Sequence, residues 1–155
     1  MGVARRVEEL GFTPLAMFVK HFHFNHVAGL RGFTRRIRDA RVYAPRREKL
    51  DLLDPNTALG VLLVRGVQTL ELRGGEVVEL GPFKVLAVRA GGHTRHHTCY
   101  LVNDAVLVTG DLAAVRGGEI ITRSREVGEM LKRRLAAILP GHGEWLIRQP
   151  LSLKA

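Results

Sequence analysis

Cysteine is almost absent from this chain of 155 residues, in which Cys99 is the only one. A single thiol cannot form an internal disulfide, so nothing in the sequence argues for an oxidising compartment. Cys99 lies in the apolar run TCYLV, where a small buried core residue is expected rather than a nucleophile. Long apolar runs are lacking too, since no stretch approaches the roughly 18 uninterrupted apolar residues of a membrane span.

The chain also lacks internal repeats, low-complexity tracts and a recognisable secretory signal. Its first residues read MGVARRVEEL, with acidic residues where a signal peptide has its apolar core. No linker divides residues 1–155, and contents of 46% hydrophobic and 25% charged residues are ordinary for a globular protein. We therefore expect a single cytoplasmic domain over residues 1–155, without membrane association.

The unusual bulk property is a net charge of +9, which would concentrate anionic substrates near the protein. Part of this charge forms a run of seven arginines: Arg31, Arg35, Arg36, Arg38, Arg41, Arg46 and Arg47. A solvated helix face is the simpler interpretation of this run, and an anion-binding patch beside the active site is the alternative. Nucleic acid is a weaker candidate partner, because aromatic and basic residues do not interleave as in a strand-binding platform.

Apolar periodicity predicts a mixture of strands and helices. The first part of the chain is predicted to hold a helix at 3–10, the strand LAMFV, a helix at 26–38, the strand ARVYA and a polar segment from Pro45 to Asn56. Strands are then predicted at 61–64, 68–73, 76–79, 83–89, TCYLV and AVLVTG, followed by a helix at 125–137 and the strand and turn ILPGHG. Gly74-Gly75 is predicted to be a two-residue hairpin turn, and Gly81-Pro82 another break. Sheets covered by helices, an α/β (α+β) class, are expected.

The seven histidines fall into three short clusters, each at the end of an apolar strand. They are His21, His23 and His26 in the first, His93, His96 and His97 in the second, and His142 alone in the third. Alternation along a strand would put His21 and His23 on one face, where both imidazoles can meet one ion. His26 lies past the strand end, where a turn can direct it to a second ion. Phe22 and Phe24 are expected to pack into the opposite layer, and neutral imidazole suits zinc and iron.

A metal site in contact with water also needs an anionic ligand, and Asp111 is the candidate. It follows the apolar strand VLVTG directly, and an aspartate that emerges from a core strand is costly unless it is paired or ligated. A helix N-cap or a turn residue is the alternative interpretation of Asp111.

These residues carry a resemblance to a known family. His21-Phe22-His23-Phe24-Asn25-His26 resembles the HxHxDH motif of the metallo-β-lactamase superfamily. Three further segments follow in the family's order and approximate spacing: Gly92-His93-Thr94, Thr109-Gly110-Asp111 and Pro140-Gly141-His142-Gly143. The similarity extends from about Leu10 to Glu144.

The resemblance implies an αββα sandwich with a metal site at one edge of its two sheets. It also implies a ligand set for one or two ions, zinc above all, with iron or manganese as alternatives: His21, His23 and His93 on the first metal, His26 and His142 on the second, and Asp111 bridging both. Asp111 and the residue at position 25 would be the catalytic residues, and a metal-activated water would be the nucleophile. His97 would support the fold or the site rather than bind metal.

The sequence departs from the family pattern in two places. Asn25 stands where the family has an aspartate, which is normally a ligand of the second metal and a partner of the nucleophilic water, so the second site is expected to be weakened. The extra His96 could compensate for that loss. Family members usually have several strands before the first helix, and their lack here suggests either truncation, a simplified sandwich, or a homo-oligomer, most simply a twofold dimer, that covers the sheet edge.

The leading functional hypothesis is a metal-dependent hydrolase of a small, anionic ester, thioester or lactone. Alternatives are a nucleic-acid phosphodiesterase, a mono-iron thiol oxygenase, and a degenerate, non-catalytic binding module that has lost the aspartate of the motif.

Overall fold

The structure is a computed structural model that describes residues 3–47 and 49–148. The chain divides into two compact units, Met1–Leu72 and Arg73–Ala155. The expectation of one domain over residues 1–155 stays a prediction. Within the described ranges, no helix is long and apolar enough to cross a membrane.

The first unit contains a small parallel sheet and helices. Its strands are β1 (Ala16–Phe18), β2 (Arg41–Pro45) and β3 (Leu70–Leu72), and its helices are α1 (Val3–Glu9), α2 (Phe24–Val27), α3 (Leu30–Arg36), a 3-10 helix (Lys49–Leu53) and α4 (Pro55–Leu63). The strand order is β1-β2-β3, with both neighbours parallel. Phe18 pairs with Tyr43, and Tyr43 pairs with Leu70. All three strands therefore end at the same edge of this sheet.

The core of the first unit explains which faces of these elements are apolar. One cluster of buried side chains comprises Val19, Phe22, Val27, Leu30, Val42, Ala44 and Val64. A second cluster packs Ala4, Phe33 and Ala40 together. The observed elements confirm the predicted helix at 3–10 and the strands LAMFV and ARVYA. The helix predicted at 26–38 is instead two helices, α2 and α3.

Helix α4 corrects the prediction for residues 61–64, which belong to this helix and are not a strand. Its start has a clear cause: Asp54 is the N-cap, and its carboxylate accepts hydrogen bonds from the amides of Asn56 and Thr57 at 3.2 and 3.1 Å. Pro55 occupies the first helical turn, where its missing amide hydrogen costs nothing.

The second unit is built on a six-stranded sheet. Its strands are β4 (Val77–Leu80), β5 (Phe83–Arg89), β6 (Thr98–Val102), β7 (Val106–Gly110), β10 (Ala137–Pro140) and β11 (Leu146–Ile147), in the order β11-β10-β7-β6-β5-β4. A separate hairpin joins β8 (Ala113–Arg116) to β9 (Glu119–Thr122), and one helix, α5 (Arg125–Leu131), follows it. Strands β7 and β10 are parallel, and the other neighbours in the sheet are antiparallel.

Several predictions for the second unit need correction. Gly74-Gly75 does not close a hairpin, because β3 and β4 belong to different sheets. The two-residue turn is Gly81-Pro82, between the paired residues Leu80 and Phe83, with Gly81 at a positive φ of 58°. Helix α5 ends at Leu131, short of the predicted residue 137. The mixed α/β class itself is confirmed, and Cys99 is a fully buried member of the core, as expected.

Candidate metal centre

The first unit brings together its three motif histidines. The ring centroids of His21 and His23 lie 4.7 Å apart, and those of His21 and His26 lie 4.4 Å apart. A ligand nitrogen of His21 also lies within 4.8 Å of one on each of the other two rings. His21 is 2% exposed, so its imidazole is held inside the fold rather than on a solvated loop.

The route by which these rings meet differs from the expected alternation along a strand. Strand β1 ends at Phe18, and the chain continues as an irregular segment up to His23, which is the N-cap residue of α2. His26 follows one turn later within that helix, and its amide donates to the carbonyl oxygen of His23 at 3.0 Å. Phe22 is buried as expected, whereas the expectation for Phe24 is wrong, because its side chain is 41% exposed at the start of α2.

Asp54 connects the N-terminus of α4 with the ring of His23. Its Oδ2 lies 3.0 Å from Nε2 of His23 and accepts the Thr57 hydroxyl at 2.6 Å. The Thr57 hydroxyl, ahead of the amides of Thr57 and Asn56, holds the pKa of Asp54 below its usual range. An ionised carboxylate can only accept, so His23 donates its Nε2 hydrogen in this contact, and the lone pair of its ring lies on Nδ1. Asp54 was not among the residues predicted for the site, although the sequence Asp-Pro is a recognisable helix start.

The second unit brings together the remaining three motif residues. His93 Nε2 lies 3.4 Å from Oδ2 of Asp111, and His142 Nε2 lies 3.8 Å from the same oxygen. The side chain of Asp111 is 13% exposed, compared with 30% for His93 and 71% for His142. One carboxylate thus faces two imidazoles in a partly enclosed place.

Strand topology explains this convergence. Strands β5 and β7 are both antiparallel to β6, so they run in the same direction, and β10 is parallel to β7. His93 follows β5, Asp111 follows β7 and His142 follows β10, so all three leave the sheet at one edge. Gly141 makes room there, because a side chain at this position would collide with Oδ1 of Asp111 and with the backbone of Gly110. A larger residue at this position would therefore displace the Asp111 carboxylate from its observed position.

Two further histidines of the second unit have partners within the fold. His97 is fully buried, and its Nε2 lies 3.0 Å from the carbonyl oxygen of Thr109. This contact agrees with the supporting role that the family resemblance implies. Nδ1 of His96 accepts a hydrogen bond of 2.9 Å from the guanidinium of Arg89, which favours a structural role for this ring over compensation for Asn25.

Asn25 is exposed on α2 and lines a cavity of about 660 Å³ together with His21 and His26. The cavity wall is mainly apolar, with residues such as Met17 and Phe33. Position 25 thus lines the same cavity as two of the three histidines of the first cluster.

The donor chemistry fits a transition metal. Each unit offers neutral imidazole nitrogens, and the second adds one carboxylate oxygen, which is the ligand set that zinc takes in catalytic sites. Iron and manganese accept the same donors.

The comparisons with known proteins identify the family. The family model described as "Metallo-beta-lactamase superfamily" matches residues 4–149. The chain belongs to the metallo-beta-lactamase superfamily. Among curated relatives, it is 30% identical over 118 residues to "Probable metallo-hydrolase YqgX" of Bacillus subtilis (strain 168), covering 72% of this chain and 55% of that protein. It is 33% identical over 110 residues to a hydroxyacylglutathione hydrolase of Synechococcus sp. (strain JA-2-3B'a(2-13)), covering 71% and 37%.

Solved structures agree with the superfamily fold. The BLEG-1 B3 metallo-beta-lactamase matches with a TM-score of 0.63 and 20% identity, over 94% of this chain and 79% of that one. The archaeal superfamily protein ST1585 from Sulfolobus tokodaii matches with a TM-score of 0.60 and 22% identity, over 85% and 62%. At these identities the likeness concerns the fold alone. The chain spans only 55% and 37% of the two curated relatives named above.

Proposed function

We propose that the protein is a metal-dependent hydrolase of a small, anionic ester, thioester or lactone. The observation that carries the proposal is the set of groups at the sheet edge of the second unit, where Asp111 faces His93 and His142 at 3.4 and 3.8 Å. The histidine cluster of the first unit, His21 to His26, supplies the other residues of the superfamily motif. Membership of the superfamily supports the use of both sets of residues as metal ligands.

The proposed ligands are those that the motif implies: His21, His23, His26, His93, Asp111 and His142. A zinc-type ion bound by such ligands would supply Lewis acidity and would lower the pKa of a coordinated water molecule toward about 7. Asp111 provides the negative charge that balances the cation. Asp54 orients His23, because its oxygen accepts the ring Nε2 hydrogen at 3.0 Å.

The substrate class rests on two supports. Several curated relatives carry the name hydroxyacylglutathione hydrolase, which denotes hydrolysis of an acylated thiol, at 30–33% identity. The net charge of +9 favours an anionic substrate over a neutral one. A thioester with a carboxylate-bearing thiol meets both conditions.

Asn25 favours a second candidate, a binding module that no longer catalyses hydrolysis. An amide at this position supplies a neutral oxygen where the superfamily motif has an anionic ligand, so the second metal would be held weakly. A chain that binds one ion or none, and that has no esterase or thioesterase activity, would fit this candidate.

We further propose a cytoplasmic location and a twofold dimer. The location is supported by the sequence, whose single cysteine cannot form an internal disulfide. The dimer is supported by the position of β1 at the edge of its three-stranded sheet and by the exposed side chains of Phe12 and Leu15 beside it, at 67% and 54%. Light scattering at high micromolar concentration should give twice the monomer mass of 17.2 kDa. A clean monomer would contradict the dimer.

The test of the main proposal combines metal analysis with a substrate panel. The full chain, purified without added metal, is analysed for Zn, Fe and Mn and then assayed on an acylglutathione, an aryl ester, a lactone and a phosphodiester. Turnover of an ester or thioester that EDTA abolishes and Asp111→Asn reduces at least about 100-fold supports the proposal. The control is Asp104→Asn, which removes an exposed carboxylate 3.3 Å from Arg133 and should leave turnover unchanged. Bound metal without turnover, or turnover of the phosphodiester alone, would contradict it.

A further inference from the structure

A groove on the first unit gathers much of the charge of the arginine run. The groove has a volume of about 930 Å³ and is formed by α3, the start of β2 and the segment between α4 and β3. Among the residues that the structure describes, one acidic residue, Asp39, lines the groove. The lining also includes five arginines: Arg31, Arg35, Arg38, Arg41 and Arg65. The fold therefore adds Arg65, distant in sequence, to four members of the run.

Two other members of the run, Arg36 and Arg47, do not line the groove and have contacts elsewhere in the unit. Arg36 forms an ion pair with Glu8 at 2.5 Å, and the guanidinium of Arg47 lies 4.9 Å from the ring centroid of Phe22. The run is thus neither a uniformly solvated helix face nor one continuous patch. Four of its seven members line the groove, and two others, Arg36 and Arg47, contact Glu8 and Phe22 instead.

The groove arginines are poorly neutralised. Among the residues that the structure describes, no carboxylate forms an ion pair with Arg35, Arg38, Arg41 or Arg65. Arg31 donates a hydrogen bond to the carbonyl oxygen of Arg65, which holds its guanidinium against the far wall. The described lining residues carry a net charge of four positive units, from five arginines and one aspartate. Like charges held around one concave surface favour a polyanion between them.

The groove lies away from the histidines of the same unit. Arg41 and Leu70 are the first residues of β2 and β3, so the groove lies at the edge where these parallel strands begin. The histidine segment follows the end of β1, at the opposite edge. Strands of three to five residues, at about 3.3 Å per residue, separate the two edges by roughly 10–16 Å. A compact ligand in the groove would therefore not contact the first histidine cluster.

The chemistry of the lining selects the kind of anion. Guanidinium groups bind phosphate oxygens with paired, charge-assisted hydrogen bonds. The neutral polar residues Thr34, Gln68 and Thr69 add hydrogen-bonding groups, and the lining contains no aromatic residue on which a base could stack. The volume is that of a site for a small ligand rather than a track along a polymer.

We propose that this groove is a binding site for a compact polyphosphate, either an inorganic chain or the triphosphate of a nucleotide. Its phosphates would lie among Arg35, Arg38, Arg41 and Arg65, with Arg31 fixed by the carbonyl oxygen of Arg65. The site is independent of hydrolysis, since it uses none of the proposed metal ligands.

Calorimetric titration of the full chain with inorganic tripolyphosphate, ATP and adenosine tests the site. The variant Arg38→Gln/Arg65→Gln removes two groove cations, and the control Arg116→Gln/Arg134→Gln removes two exposed cations of the second unit. We expect the groove variant to weaken tripolyphosphate binding at least about tenfold, because two charge-assisted contacts are lost, and the control to weaken it less than about twofold. Similar affinities for tripolyphosphate and ATP, with none for adenosine, would assign an inorganic chain, and a clear preference for ATP would assign a nucleotide.

Three results would overturn the proposal. Equal weakening in both double variants would attribute binding to the net charge of the whole protein. Absence of tripolyphosphate and ATP binding at low salt would remove the site. Groove-dependent binding of a single-stranded oligonucleotide, without such binding of tripolyphosphate, would make the occupant a nucleic acid instead.

Discussion

Asp54 has two roles, as the cap of α4 and as the partner of His23, and two substitutions should affect protein stability and metal affinity differently. The carboxylate caps α4 through the amides of Asn56 and Thr57, and its Oδ2 also lies 3.0 Å from the ring of His23. Alanine at this position removes both functions. Asparagine caps a helix about as well as aspartate, but it removes the negative charge that faces the imidazole.

The expected magnitudes differ between the two variants. Asp54→Ala should lower the free energy of unfolding of the metal-free protein by about 1 kcal/mol through the lost cap, which is roughly 2–4 °C in Tm for a chain of this size. Asp54→Asn should leave the Tm of the metal-free protein within about 1 °C of the wild type. Both variants should weaken metal binding by about 10–100-fold, the effect expected when the carboxylate behind a ligating histidine is removed.

Metal affinity is measured by competition with a chromophoric chelator, and Tm by calorimetry of the metal-free protein. Glu71→Gln is the matched control, since it removes an exposed carboxylate of the same unit, on β3. Unchanged metal affinity in Asp54→Asn would refute the role in orienting His23. If Asp54→Asn lost as much stability as Asp54→Ala, asparagine would not preserve the helix cap, and the two roles of Asp54 could not be distinguished in this way.

Three further predictions concern other positions. Asn25→Asp should raise the number of metal ions bound per chain or the affinity of the weaker site, measured by titration with zinc, and equal binding in both proteins would show that position 25 does not serve the metal. Gly60→Ala should lower the free energy of unfolding by about 1–3 kcal/mol in chemical unfolding, since a Cβ would collide with the carbonyl oxygen of Phe22. The control is Gly32→Ala on α3, which has open space around it. It should be neutral or stabilising by up to about 1 kcal/mol. The pKa of Glu126 is held below its usual range by hydrogen bonds from its own backbone amide and from the Ser124 hydroxyl. The charged carboxylate should therefore stabilise the fold above about pH 5. This stabilisation should be lost as the pH falls through the lowered pKa. The wild type and Glu126→Gln should then converge in stability at low pH, and a constant difference across the pH range would contradict this assignment.

Long apolar strands and histidine spacing were predictable from the sequence because both are local patterns. Strand β6 coincides with TCYLV, and β5 with the predicted residues 83–89. Strand β7 lies within AVLVTG. The end of each apolar strand marks where a polar side chain leaves the sheet. That rule placed Asp111 at the end of a strand, and Asp111 does follow β7; its use as a metal ligand stays a prediction.

The secondary-structure predictions were wrong where a helix cap or a turn decided the structure and apolar composition did not. Residues 61–64 look like a strand by composition, but the Asp-Pro start at Asp54 extends α4 through them. The β8–β9 hairpin was not predicted, although Gly117-Gly118, both at positive φ, stands between two short runs of strand type. The contact of Asp54 with His23 spans 31 residues, and no spacing rule in a single sequence indicates it.

The first set of candidate ligands is held by a local segment of the chain, whereas the second set is held by pairing between strands. His21, His23 and His26 are close in sequence, so an irregular segment and one turn of helix suffice to bring their rings together. The second set depends on strand register, because Asp111 and His142 become neighbours only while β10 stays paired with β7, with Pro140 opposite Gly110. Local opening of β10 would separate His142 from Asp111 while leaving the ring contacts of the first set intact. Loss of the fold at β10 should therefore remove part of the ligand set before the first histidine cluster is disturbed.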